Sequence, residues 1–522
     1  MTRVRNVAVF GVALASAAGV GTAARPVAAL SPAAGYALGV TVFAALLWLT
    51  GAIPLSLTAL AIPVLLTAFG VVPDFGDAVT GFADPVIFLL LAGFVLAEAL
   101  RIHGVDRRVA YYVLLSVGTS PRRLVLALMV ATAVLSMIIS NTATTAMMVP
   151  IAVGLVGEVT TVVSADDAEP ETPATARGES PSNFQLAALL GVAYAASLGG
   201  VGTLVGTPPN AIVVGQLGEL LDYHVSFADW LLVGLPMVVV TLPVAWVLLT
   251  FVVYPPRVGD VSAARESARR GLADAGELSS PARRTVAIFV ATAACWLLGG
   301  LGFLVRPSLP PAVYTTLFGG AGTSVFGTAG HQGLLYYVLV GLVAVVALVL
   351  SGAAAWDDLL DIDWATLVLL GGGISLADAL VTTGATEWLA SVTLGALGPV
   401  PLPVLVLVVV TLVVGVGELA SNTAMAAILA PLLVGIGPAY ADTLGTTAPT
   451  AAAFLAIVGA VAASYGFALP VATPPNAIAY GAGYMNREDM LRAGLPLDVV
   501  VILLATGVLT ILVRFVWPVV LS

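Results

Sequence analysis

Long apolar runs, interrupted by a few polar islands, constrain this chain more than any other feature. Runs of 18 or more apolar residues recur from one end of the 522 residues to the other, and each is long enough to cross a bilayer as a helix. Charged residues make up only 9% of the chain, whereas soluble proteins contain about 25%. The sequence therefore predicts an all-α polytopic membrane protein.

Four polar islands lie inside the apolar runs and form two matching pairs. The Ser-Asn-Thr sequence of residues 140–142 recurs at 421–423, and the Thr-Pro-Pro-Asn sequence of 207–210 recurs at 473–476. Hydroxyl and amide groups lose water at membrane depth, and proline breaks a helix, so such islands are costly unless they line a cavity. Two pairs in the same order are typical of a solute site near the bilayer midplane.

The matching pairs predict that one hydropathy plan is used twice. An odd number of spans in each half would make the repeat inverted, with about 11 transmembrane helices, two re-entrant hairpins and two broken helices. The predicted parts are an N-terminal helix in 1–33, a first repeat in 34–254 (hairpin 121–157, broken helix 184–220), a cytoplasmic linker in 255–283, and a second repeat in 284–522 (hairpin 400–437, broken helix 450–485).

The arginines indicate the orientation. All 19 basic residues are arginine, and 16 of them fall on one side if the N-terminus is cytoplasmic, as the positive-inside rule requires. We expect a multi-pass protein of the plasma membrane, although the first residues also resemble a cleavable signal peptide. The net charge of −10 and the lysine-free, acidic loops indicate a salt-adapted prokaryote. Nucleic acid is not an expected partner.

The polar islands suit the binding of an anion beside cations. At a hairpin tip the outgoing helix begins, and its free N–H groups and positive dipole end favour an anion. Carbonyl groups released by the unwound segments are suitable ligands for a hard monovalent cation. Glu418 is the one titratable residue near these motifs, so sodium coupling is favoured over proton coupling, which remains an alternative.

Enzymatic chemistry is not expected. The sequence has one cysteine and three widely separated histidines, with neither metal-ligand spacing nor a nucleophile-base set. A channel or a receptor remains an alternative to a transporter at this point.

The paired motifs, together with Trp-Leu-Thr-Gly-Ala-Ile-Pro beginning at residue 48, resemble the divalent-anion/sodium symporter family over nearly the whole chain. That family includes sodium–dicarboxylate and sodium–sulfate cotransporters. The resemblance implies symport of sodium with a C4-type dicarboxylate such as succinate, malate or fumarate. It also implies a homodimer in which a transport domain slides against a scaffold domain, as in an elevator. Sulfate or a tricarboxylate as the solute, or ion antiport, are alternatives.

The resemblance also implies roles for particular residues. Substrate-binding residues would be Asn141, Thr142, Thr207, Asn422, Thr423, Thr473 and Pro474. The first sodium ion would lie among Ser136, Ser140, Asn141 and Gly206, and the second among Gly417, Ala420, Asn422 and Ala472. Gly417 stands where the family often has threonine, so only its carbonyl group could contribute. Ser-Asn-Thr at both tips resembles the dicarboxylate branch more than the sulfate branch.

Overall fold

Apolar helices make up almost all of the structure, a computed structural model that describes residues 2–27, 29–116, 120–163, 181–258, 261–397, 400–419 and 421–515. The helices of the first half are α1 (Thr2–Ala24), α2 (Pro32–Thr50), α3 (Leu55–Ala68), α4 (Phe75–Ala78), α5 (Pro85–Ile102), α6 (Val105–Ser116), α7 (Pro121–Ser136), α8 (Asn141–Val163), α9 (Asn183–Gly200), α10 (Pro208–Leu221), α11 (Phe227–Val247) and α12 (Ser262–Ala275).

The second half is also helical apart from one small hairpin. Its helices are α13 (Ser280–Gly300), α14 (Gly302–Val305), α15 (Pro311–Phe318), α16 (Tyr337–Leu350), α17 (Trp364–Thr382), α18 (Ala385–Leu397), α19 (Leu402–Gly417), α20 (Asn422–Ile436), α21 (Ala441–Leu444), α22 (Ala448–Ala463), α23 (Pro474–Gly481) and α24 (Arg487–Phe515). Strands β1 (Gly320–Thr323) and β2 (Ala329–His331) pair antiparallel. The hairpin is the one departure from the predicted all-α class, in a glycine-rich segment whose positive φ angles suit tight turns.

The prediction of a helical protein with several membrane spans is confirmed. Within the described residues, eight helices are long and apolar enough to cross a membrane, and five apolar helices of 10–17 residues accompany them. Helices α3 and α16, at 14 residues each, would reach about 21 Å, less than a typical hydrocarbon core. The expected number of 11 spans therefore stays a prediction.

Each of the four segments predicted to be interrupted consists of two helices with a break between them. The breaks cover residues 137–140, 201–207, 418–421 and 464–473. The helices after the second and fourth breaks begin with Pro-Pro, which suits a first turn and cannot continue an earlier helix. The polar islands of the sequence therefore coincide with helix ends.

The helices that precede the second and fourth breaks lie at the centre of the molecule. Every residue of α9 from Phe184 to Gly200 is buried, as is every residue of α22 from Ala451 to Ala463. A helix that is apolar all round belongs in a core, and both are rich in alanine and glycine. These small residues let neighbouring backbones approach closely.

The two halves pack against each other in a matched pattern. Helix α8 of the first half contacts α23 of the second, and α20 of the second half contacts α10 of the first. Outside this group, α3 packs on α17 and α16 packs on α5. Each half therefore completes its packing with elements of the other.

Replacing Gly199 by alanine tests one of the close backbone approaches in this core. A Cβ atom at Gly199 would lie 2.4 Å from the carbonyl oxygen of Ala133 on α7. We expect Gly199→Ala to destabilise the protein by about 1–3 kcal/mol, since overpacking forces a backbone shift. Thermal unfolding of the purified protein in detergent measures it. Gly154→Ala is the control, because a Cβ atom there meets nothing within 4 Å. Equal melting temperatures for the two variants would contradict the predicted close packing.

Candidate functional site

The first break ends where the first Ser-Asn-Thr sequence begins. Helix α7 finishes at Ser136 and α8 starts at Asn141. The hydroxyl oxygen of Ser140 accepts a hydrogen bond from the N–H of Ala143 at 3.3 Å, which is the geometry of a helix cap. Ser140 thus fixes the start of α8.

Asn141 lies among oxygen atoms from three segments. Its Oδ1 is 2.6 Å from the Ser136 hydroxyl oxygen, whose single O–H group can donate either to that Oδ1 or to the Ala196 carbonyl at 2.7 Å. The Asn141 Nδ2 donates to the Thr207 hydroxyl at 3.5 Å. If the amide is turned over, its nitrogen lies 3.1 Å from the Ala196 carbonyl oxygen and 3.3 Å from the Gly206 carbonyl oxygen. In one orientation the amide oxygen therefore faces only oxygen atoms, which is the environment that a hard cation prefers.

Two glycines, Gly200 and Gly206, allow the oxygen atoms of these segments to lie close to Asn141. A Cβ atom at Gly200 would lie 2.2 Å from Asn141 Oδ1, and one at Gly206 would lie 2.5 Å from the Gly200 carbonyl oxygen and 2.9 Å from that of Ser136. The structure thus brings together Ser136, Asn141 and Gly206 of the predicted first sodium site. The carbonyl group of Ala196 and the close contact at Gly200 were not predicted.

Two asparagines at matching positions stabilise the second and fourth breaks by hydrogen bonds. Asn210 Nδ2 donates to the carbonyl groups of Gly200 at 3.1 Å and Thr203 at 2.8 Å. Asn476 Nδ2 donates to those of Gly466 and Leu469, both at 3.0 Å. In each case the acceptors lie ten and seven residues before the asparagine, so one local structure occurs twice. Carbonyl groups that lost their helical partners are satisfied by these amides.

The second tip repeats the position of the first with different side chains. Helix α19 ends at Gly417 and α20 begins at Asn422, where Ser421 makes no side-chain cap bond. Asn422 Oδ1 is buried and has no hydrogen-bond donor among the described residues. A Cβ atom at Gly417 would lie 3.8 Å from that oxygen and 3.5 Å from the Tyr465 carbonyl oxygen. Gly417 and Asn422 are therefore neighbours, and the Tyr465 carbonyl joins them without having been predicted.

The other residues predicted for the second half lie in or beside the fourth break. Ala472 is buried beside Gly466, whereas Ala420 lies outside the described residues. Thr473 is buried and its hydroxyl accepts from the N–H of Asn476 at 3.2 Å, while Pro474 is exposed in the first turn of α23. Thr423 is half-buried in the first turn of α20.

Thr142 faces a different surface from Asn141. It is exposed and, with Ser140, lines a cavity of about 570 Å³ between α8 and the end of α5. Across the cavity Arg101 donates to Glu98 from Nε at 2.6 Å and to Asp361 at 3.0 Å. Sequence analysis missed this cavity, for which the only signal was the Glu98–Arg101 spacing of three residues.

The halves meet near the centre. The rings of Tyr194 on α9 and Phe467 in the fourth break are 5.1 Å apart between centroids. Gln216 on α10 donates to the Ala427 carbonyl of α20 at 3.1 Å. The two broken helices therefore touch each other, and α10 of the first half also touches α20, the helix that begins at the second tip.

The bundle of apolar helices contains buried helix breaks, and uncharged oxygen atoms gather at these breaks. This arrangement is that of the multi-span membrane transporters. Two solved structures share the fold. The Alcanivorax borkumensis YdaH transporter aligns with a TM-score of 0.54 at 18% identity, over 85% of this chain and 89% of that one. Neisseria gonorrhoeae MtrF aligns with a TM-score of 0.51 at 14% identity, over 83% and 82%.

The sequence model described as the sodium:sulfate symporter transmembrane region matches residues 8–521, so the chain belongs to the sodium:sulfate symporter family. It is a sodium-coupled anion symporter and not an enzyme, and the predicted family is confirmed.

Curated relatives span most of the chain. An uncharacterized transporter of Haemophilus influenzae is 33% identical over 91% of both proteins. Proteins named sodium-dependent dicarboxylate transporter SdcS are 29% identical in Staphylococcus saprophyticus, over 93% of this chain and 87% of that one, and 30% identical in Staphylococcus aureus, over 93% and 86%.

Replacing Asn210 or Asn476 by alanine tests whether these asparagines stabilise the second and fourth breaks. We expect Asn210→Ala and Asn476→Ala each to lower stability by about 1–3 kcal/mol, because two buried carbonyl groups lose their donor. Chemical unfolding in detergent measures the loss. Asn183→Ala is the control, since its Nδ2 makes a single, half-buried bond to the Pro255 carbonyl at 3.2 Å. A loss no larger than that of the control would mean that the breaks are held by other contacts.

Proposed function

We propose that this protein takes up a C4-type dicarboxylate, such as succinate, malate or fumarate, together with sodium across the plasma membrane. The observation that carries the proposal is the set of uncharged oxygen atoms around Asn141. At the second tip, Asn422 holds the matching position, and its buried Oδ1 has no donor among the described residues. The names of the staphylococcal relatives, sodium-dependent dicarboxylate transporters, agree with this solute.

The first sodium ion would be held by Asn141 Oδ1, the carbonyl groups of Ser136 and Gly206, and the hydroxyl of Ser136. The second would be held around Asn422 Oδ1 by carbonyl groups of Gly417 and the fourth break, with Ala420 and Ala472 as further candidates. The buried Oδ1 of Asn422, which has no donor among the described residues, supports the second site, because an amide oxygen that accepts no hydrogen bond is free to bind a hard cation.

The dicarboxylate would be bound by neutral donors between the two tips. Asn141 and Thr207 would contact one carboxylate, and Asn422, Thr423 and Thr473 the other. Thr142 and Pro474 are exposed, and their contact with the solute stays a prediction of the family resemblance. The N-terminal ends of α8 and α20 add their positive dipole ends. Sodium ions beside these donors would neutralise a dianion that meets few fixed positive charges, which couples the two solutes.

Alternating access would follow from the packing. Helices α7–α10 and α19–α23 form the group that carries the four breaks, and we propose that it is the transport domain. The remaining long helices, including α3, α5, α16 and α17, would be the scaffold. We further propose that the halves are an inverted repeat with the N-terminus in the cytoplasm, and that the protein works as a homodimer.

Transport into proteoliposomes tests the solute and the coupling. Labelled succinate should accumulate above its external concentration with an inward sodium gradient and not with a potassium gradient. An excess of unlabelled malate should compete strongly, and sulfate and citrate weakly. If sodium drives the uptake of sulfate or citrate faster than that of succinate, the proposed solute is wrong and the faster anion takes its place in the proposal. Downhill flux without sodium would contradict symport.

The first sodium site can be tested by substitution. We expect Ser136→Ala and Asn141→Ala to raise the sodium concentration for half-maximal uptake by about tenfold or more, since 1.4 kcal/mol of lost ligand energy is tenfold. Thr241→Ala is the matched control, because its hydroxyl is buried and donates to the Met237 carbonyl within α11, away from the four breaks. If Asn141→Ala needs the same sodium concentration for half-maximal uptake as the wild type, the first sodium ion is not bound at Asn141.

A further inference from the structure

A cavity of about 380 Å³ lies between α6, α8 and α12 in the first half of the chain. Helix α8 lines most of it with apolar residues, among them Met147, Ile151 and Leu155, whereas α6 and α12 add polar side chains. The cavity adjoins the larger one beside the first tip, with which it shares Arg107. None of the residues proposed to bind sodium or the solute lines it, so it is separate from those sites.

Helix α12, which covers the cavity, is tied to α6 at both ends. Arg108 of α6 donates to the carbonyl oxygen of Ala275, the last residue of α12, at 2.5 Å. Arg265, near the start of α12, donates to the carbonyl oxygen of Leu115, near the end of α6, at 3.3 Å. An arginine of each helix thus reaches the C-terminal end of the other, where a positive charge is favourable. The two helices therefore form a fixed antiparallel pair over the cavity.

Three polar side chains line the cavity. The guanidinium group of Arg107 is exposed and forms no hydrogen bond or ion pair with the described residues. The hydroxyl groups of Tyr111 and Ser267 likewise have no hydrogen-bond partner in that part of the chain. The neighbouring Asp106 accepts from the backbone N–H of Arg107 at 2.8 Å and lines the adjoining cavity instead. The polar part therefore offers one positive charge and several N–H and O–H donors, which suit an anionic group.

The rest of the lining is apolar and follows one side of α8. Met147, Ile151 and Leu155 succeed one another at intervals of four residues, so the groove extends for about 12 Å. Pro150 and Gly154 are exposed beside them, and a Cβ atom at Gly154 would meet nothing within 4 Å. A small dicarboxylate would gain little from this surface, whereas a hydrocarbon chain would remove it from water. The lining as a whole therefore suits an amphiphile with an anionic head.

The depth of the cavity agrees with a lipid ligand. Met147 and Leu155 lie about 9 and 21 Å along α8 from Asn141 at the first tip. Half of a hydrocarbon core is about 15 Å thick. With the tip near the bilayer midplane and the N-terminus in the cytoplasm, as proposed above, the cavity lies where the acyl chains of the cytoplasmic leaflet meet their headgroups.

We propose that this cavity binds an anionic phospholipid of the cytoplasmic leaflet. Arg107, Tyr111 and Ser267 hold its phosphate group, and the first part of an acyl chain lies along the apolar side of α8. A basic pocket between membrane helices on the cytoplasmic side is suited to such a headgroup. The choice of leaflet rests on the proposed orientation. The site itself depends neither on that orientation nor on the solute that is carried.

Native mass spectrometry of the purified full-length protein in detergent tests the site without a transport assay. The wild type should retain dioleoylphosphatidylglycerol in preference to dioleoylphosphatidylcholine. Arg107→Gln should weaken the binding of phosphatidylglycerol about fivefold, the usual contribution of one cation close to anionic lipid. Arg107→Lys should restore most of it. If the wild type does not prefer phosphatidylglycerol, the proposal is wrong.

A matched control separates the site from general attraction by positive charge. Arg123→Gln removes the same charge from an exposed arginine at the start of α7, outside the cavity, and should bind phosphatidylglycerol as the wild type does. The melting temperatures of the variants in lipid-free detergent should equal that of the wild type, which shows that the fold is intact. Equal affinities of Arg107→Gln and Arg123→Gln would overturn the proposal.

Two further measurements test the acyl chain. Gly154→Leu puts a side chain into the open groove without changing any charge and should lower the retention of phosphatidylglycerol, whereas Gly154→Ala should retain most of it. Inorganic phosphate alone should leave the melting temperature of the wild type unchanged. If phosphate stabilises the wild type as much as phosphatidylglycerol does, or if Gly154→Leu binds the lipid normally, the cavity takes a free anion and not a lipid.

Discussion

The structure depends on satisfying the backbone groups that four helix breaks release inside an apolar core. No water is present at that depth to replace a lost helical hydrogen bond, so each free carbonyl or N–H group needs a protein partner or a ligand. Asn210 and Asn476 supply partners for carbonyl groups in two breaks, and Glu418 supplies them for N–H groups. The carbonyl groups and amide oxygens that have no such protein partner are the candidates for binding sodium.

The positions of the helix breaks could be predicted from the sequence, because the residues that end a helix lie at the break itself. Polar residues and proline inside an apolar run mark where a helix must end, and the structure has helix ends at the Ser-Asn-Thr and Thr-Pro-Pro-Asn segments. The matched spacing of the two halves and the motifs they share also identified the family. The β-hairpin near residue 325 was not foreseen, since short glycine-rich strands carry no apolar alternation.

The rest of the site could not be predicted, because it rests on contacts between distant segments. A carbonyl ligand such as that of Ala196 leaves no trace in its own side chain, and Gly200 is distinguished only by what approaches it. Asp498 lies 80 positions from Glu418 in an apolar helix, and only the fold brings it to the same turn. Local patterns reveal where the backbone is free, whereas long-range packing decides what it meets.

The two halves share their supporting structure and differ in their chemistry. In each broken helix, the asparagine Nδ2 donates to carbonyl groups ten and seven residues earlier in the chain, so both breaks use the same stabilising contact. At the first tip, hydroxyl groups of Ser136 and Thr207 surround Asn141. At the second, Gly417 brings no hydroxyl group, and the carboxyl group of Glu418 accepts hydrogen bonds from N–H groups of the fourth break instead. The two halves can therefore stabilise their breaks with the same asparagine contacts and still surround their tips with different side chains.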